Sequence, residues 1–123
     1  MMPYCLQKQS SWRFFTPGEA SCVIALCEQI IPADEHGGGA TEAGVIQYID
    51  RQLIAVFDYE QVVYQQGISA LQASSLELHG KRFETLDFPT QQQVLTGLEA
   101  GELPGVHWGD LDQRRFFNLV IRH

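Results

Sequence analysis

Apolar side chains at Ala20, Val23, Ile24, Cys27, Ile30 and Ile31 recur at the three- and four-residue steps that place side chains on one face of a helix. Thr16-Pro17-Gly18-Glu19 gives that helix a start. Thr16 can cap it, Pro17 tolerates a first position whose N–H is not needed, and Glu19 can answer the cap backbone. Pro32 ends it by removing a donor and pushing the preceding residue out of helical geometry. A second helix is expected from Thr41-Glu42, with Val45, Tyr48, Ile49, Leu53 and Val56 inward and Gln47, Asp50 and Arg51 outward. Gly44 inside it would cost up to about 1 kcal/mol relative to alanine. Asp58 is placed to cap a third helix ending at His79-Gly80, with Tyr59, Val62, Val63, Gly67, Ala70, Leu71 and Leu78 on its apolar face. Gly67 on that face lets another backbone come close. Phe83, Leu86 and Phe88 precede a short fourth helix over about 89–99, packed through Val94, Leu95 and Leu98. Asp110 opens a last helix whose apolar surface is Phe116, Phe117, Leu119 and Val120.

The intervening segments 33–40 and 101–109 are rich in glycine and read as loops. Val45 to Ile49 could be read as extended, but the pattern continues through Leu53 in helical register. The fold expected is therefore all-α: a compact array of about five helices with no significant sheet. Residues 1–13 form a flexible N-terminal segment and 14–123 a single helical domain. A chain of 123 residues, 45% hydrophobic, suffices for one core. The broad apolar faces leave surface for a second polypeptide to bury.

Charge narrows the class of partner. The formal net charge is -7, and between Phe14 and Gly80 nine carboxylates face the single base Arg51. Such a surface repels phosphate, so nucleic acid is excluded as the expected partner. Lys81, Arg82, Arg114, Arg115 and Arg122 confine any electropositive patch to the C-terminal part. No apolar run reaches the roughly 18 to 20 residues of a membrane span, and Met1 to Phe15 lacks the form of a signal peptide. The chain as written is expected in the cytoplasm unless a presequence or an exported partner carries it out.

Chemistry-bearing side chains do not converge along the sequence. Cys22 and Cys27 lie five apart on a helix, a poor geometry for a disulfide, and are expected as buried small hydrophobes; Cys5 is the more reactive thiol. Asp34, Glu35 and His36 are adjacent and diverge, while His79, His107 and His123 are dispersed, so no metal ligand set is assigned. Gly37-Gly38-Gly39 follows no strand and lacks the order of a dinucleotide-binding turn; a conformable contact loop fits it better. The serines lack a nucleophile's context, and Glu77 and His79, two apart, face different ways. No catalytic, cofactor-binding or metal residue is therefore named.

Several fragments in order carry a family resemblance: Phe15-Thr16-Pro17 with Glu19-Ala20; Glu28-Gln29-Ile30-Ile31-Pro32-Ala33-Asp34; Gly38-Gly39-Ala40-Thr41-Glu42-Ala43-Gly44-Val45; Tyr48-Ile49-Asp50-Arg51-Gln52-Leu53; Tyr64-Gln65-Gln66-Gly67-Ile68; and Phe83 with Leu86, Gln92, Val94 and Leu95. Their succession over about 14–99, continued by Phe116-Phe117, resembles the gluconate 2-dehydrogenase subunit 3 family, the small or gamma subunit of FAD-dependent sugar and polyol dehydrogenase complexes. The resemblance implies a noncatalytic companion that stabilises a large dehydrogenase of the glucose-methanol-choline type and assists its assembly or export. FAD belongs to that large subunit, and haem to a multihaem cytochrome c subunit. The location implied is the periplasm or the periplasmic side of the inner membrane, with membrane association only through the complex. Two departures stand out: no twin-arginine segment precedes Phe15, and the Tyr-Gly-Gly-Asn tail usual in the family does not follow the last helix. Val23, Ile30, Val45, Ile49, Leu53, Phe116 and Phe117 are expected to divide between the core and the partner-facing surface. A helical adaptor, or a maturation chaperone that holds a redox enzyme transiently, is the alternative.

Overall fold

Thr16 begins the first helix as the sequence predicts. In the computed structural model, which describes residues 12–31, 39, 44–55 and 58–122, its hydroxyl accepts the Glu19 N–H at 3.2 Å and Glu19 returns a carboxylate to the Thr16 N–H at 3.0 Å. This reciprocal cap satisfies two donors that the first turn leaves over. Five α-helices follow in the described residues: α1 (Pro17–Ile30), α2 (Val45–Ile54), α3 (Gln61–His79), α4 (Phe88–Ala100) and α5 (Gln113–Arg122). Short 3-10 turns at Asp58–Glu60, Phe83–Thr85 and Gly105–His107 precede α3, α4 and α5, and no strand occurs among the described residues. The all-α reading with about five helices holds.

The longest helix, α3, organises the rest by touching α1, α5 and all three 3-10 turns. A file of aromatic rings runs through its buried side: Phe14 against Phe15, Phe15 against Tyr64, Tyr64 against Phe116, and Phe116 against Trp108, with centroids 5.2 to 6.0 Å apart. The first three pairs are edge-on, the arrangement that aligns the ring quadrupoles favourably. Gly67 makes room for this file, because a methyl group on its Cα would overlap the Phe116 ring. Close approach at Gly67 is thus real, but the group that approaches is a ring and not a backbone.

Two helices are turned somewhat from the orientation their periodicity suggests: Ile49 and Leu53 of α2 and Gly67, Ala70 and Leu71 of α3 are buried as expected, and other positions are not. In α2, Ile46, Ile49, Asp50 and Leu53 are buried, while Tyr48, expected inside, is exposed. Asp50 explains the rotation. Its carboxylate accepts the N–H of Arg13 at 2.8 Å, of Phe14 at 2.9 Å and of Phe15 at 3.1 Å. The chain ahead of α1 has no helical partners for those donors, so one buried acceptor serves all three and fixes the approach to the core. Gly44 lies outside the helix as its N-cap at φ 77°, where glycine carries no steric penalty, so the expected cost of an interior glycine does not arise.

In α3 the predicted inward residues Tyr59, Val62 and Leu78 are exposed, and Tyr64, Ile68, Gln72, Ser74 and Ser75 are buried instead. Two of these polar side chains, Gln72 and Ser74, find partners outside the helix. The Trp108 indole donates to the Ser74 hydroxyl at 3.1 Å, and Gln72 accepts the Phe83 N–H at 2.8 Å while donating to Glu84 at 2.7 Å. Glu60, not Asp58, occupies the N-cap position of α3, since Asp58 opens the preceding 3-10 turn. Phe88, predicted to join the apolar cluster, lies on the surface at the first position of α4.

The last helix starts at Gln113 rather than at Asp110, and Asp112 accepts the Arg114 N–H at 2.9 Å. Gln113 is buried and makes two hydrogen bonds of 2.9 Å with the backbone of Leu103, donating to its carbonyl and accepting its N–H. That pair ties the loop between α4 and α5 to the body. Pro32, the expected loop 33–38, Thr41, Glu42, Val56 and the flexible segment up to Ser11 lie outside the described residues.

Candidate partner-binding surface

Of the seven residues expected to share core and interface, Val23, Ile49, Leu53 and Phe116 are fully buried and Phe117 nearly so. Their surface is already taken up inside this chain, Phe116 by Gly67 and two aromatic neighbours. A helical period identifies an apolar face but not what covers it, and here the other helices do. Ile30 and Val45 are half-buried and meet at a cleft of 60 Å3 completed by Cys27, Ile31, Val120 and Ile121. Two of the seven therefore reach a surface. That cleft is too small for more than one side-chain tip.

A larger feature lies on the outward side of α3. One depression of 570 Å3 is bounded by Tyr59, Glu60 and Val63 on one wall and by Arg115, Asn118 and Leu119 of α5 on the other. A second, of 710 Å3, opens between Gln66 and Ser69 of α3 and the segment Val106 to Leu111. Val63 and Arg115 line both, so the two run into one groove along α3 and α5. The two most exposed large apolar side chains described, Val106 at 81% and Tyr59 at 70%, each line one of the two depressions.

The walls are built from ordinary local rules. Position 62 to 69 of α3 presents Val62, Gln65, Gln66 and Ser69 to solvent because Tyr64, Ile68 and Leu71 are committed to the core. The far wall is held by buried Trp108 through Ser74, and by a hydrogen bond across the turn between His107 Nε2 and Glu77 Oε1 at 2.6 Å. Glu77 pairs with a histidine thirty residues away, a partner that sequence spacing could not find. Val106, between these anchors, is pushed outward.

The groove carries both signs of charge: Arg114 and Arg115 of α5, and the carboxylates of Glu60, Asp110 and Asp112. Arg114 reaches back to the Ala100 carbonyl at 2.9 Å. Arg115 is exposed and makes no ion pair among the described residues. Asp112, just ahead of α5, accepts the Arg114 N–H. Elsewhere, partial burial alone would raise the Glu84 carboxyl, but hydrogen bonds from Arg82 and Gln72 hold it below the usual carboxylate range. Its ion pair with Arg82 spans 2.7 Å and steadies the turn between α3 and α4, away from the groove.

The two described cysteines are buried and free, as expected. Burial raises both thiols, Cys27 to about 11 with the Glu28 charge adding to the effect. A thiol held so far above neutral pH carries almost no thiolate and is a poor nucleophile. Among the described residues no group of three histidine, cysteine or acidic side chains is placed to hold a metal ion, and no helix is long and apolar enough to cross a membrane. Asp34, Glu35, His36 and the triple glycine fall outside the described residues.

Compared with known proteins, residues 17–123 match the model of a family described as gluconate 2-dehydrogenase subunit 3. No curated protein and no solved structure gives a significant match.

Proposed function

Because the chain belongs to the gluconate 2-dehydrogenase subunit 3 family, we propose that it is the noncatalytic small subunit of an FAD-dependent dehydrogenase of the glucose-methanol-choline type. The large subunit oxidises a hydroxyl of a sugar, sugar acid or polyol and holds the FAD. This chain stabilises it and assists its assembly or export, and a multihaem cytochrome c subunit takes the electrons onward. The complex works in the periplasm or on the periplasmic side of the inner membrane. The observation that carries this reading is the family match, which spans all five helices.

The groove supplies a physical basis. Covering a large apolar side chain contributes roughly 1.5 to 3 kcal/mol, and Val106 and Tyr59, which line the groove, are more than half exposed. Association must offset several kcal/mol of lost translational and rotational freedom. A handful of such side chains, with hydrogen bonds around them, is enough for a lasting contact. A helical body whose core is closed, with an apolar groove outside it, suits a subunit that braces another chain.

Coexpression with the large flavoprotein tests the proposal. The expected result is a complex of fixed stoichiometry whose flavoprotein retains FAD and turns over substrate with an artificial electron acceptor, and a flavoprotein that loses solubility, FAD or activity when made alone. Equal yield, flavin content and turnover without this chain would overturn the reading. A gain in flavin content without copurification would replace it by a transient maturation chaperone.

A further inference from the structure

We draw no further inference here: the strongest candidate, the groove between α3, α5 and the Val106–Leu111 segment, is lined by Glu60, Asp110 and Asp112 as well as by Arg114 and Arg115, and nothing in the structure shows what covers it.

Discussion

The inward and outward faces of α3 are similar in composition and opposite in consequence. Inward lie Tyr64, Gly67, Ile68, Leu71, Ser74 and Ser75; outward lie Val62, Gln65, Gln66 and Ser69, with Tyr59 in the turn that leads into the helix. Each set contains a tyrosine, aliphatic groups and small polar residues, so hydrophobicity does not separate them. What separates them is the space and the partners the other elements provide. Gly67 admits the Phe116 ring, and Ser74 meets the Trp108 indole. Val62 and, just ahead of the helix, Tyr59 remain more than half exposed. One face is therefore answerable to folding and the other is available for binding.

Substitutions should expose that difference. Phe116→Ala removes a fully buried ring that touches Tyr64 and Trp108, and should cost about 4 kcal/mol in urea-induced unfolding. A loss no larger than that of a surface change would mean α5 is not packed on α3 as described. Asp50→Ala strips one acceptor from three backbone donors; about 3 kcal/mol is expected, and hydrogen exchange at Arg13, Phe14 and Phe15 should accelerate together. Independent exchange at the three amides would contradict a shared acceptor. Gly67→Ala forces a methyl group into the Phe116 ring. It should destabilise by about 2 kcal/mol, although alanine is the better helix former by about 1 kcal/mol, and a stabilised variant would refute the close approach. On the outward face, Val62→Asp should change unfolding by less than about 0.5 kcal/mol. A larger loss would show that this face too belongs to the core.

The legibility of the sequence follows the same division. The start of α1 was readable because its signal is local: Thr16, Pro17 and Glu19 act within four residues of one another. The ends of α3 and α4 at Gly80 and Gly101 were readable for a similar reason, since both glycines adopt positive φ where a side chain would be strained. The burial of Asp50 in α2 was not, because it looks like a surface carboxylate until the chain from Arg13 to Phe15 arrives beside it. The groove was hidden for a related reason. Tyr59 and Val62 fit an apolar stripe as well as Tyr64 and Ile68 do, and the choice between them belongs to α5, α1 and the turn at Gly105–His107.

Amino-acid order by itself determined that this protein is helical, where several of its helices begin and end, and which family it resembles. These properties depend on spacing, capping and glycine conformations that act over a few residues. Only the tertiary structure decided that Asp50 of α2 is interior while Tyr48 and Val62 are not, that Phe116 and Phe117 are core, and that Arg115 lines a groove without an ion pair among the described residues. Burial is a property of what lies opposite a residue. For these positions, the group opposite comes from a distant part of the chain.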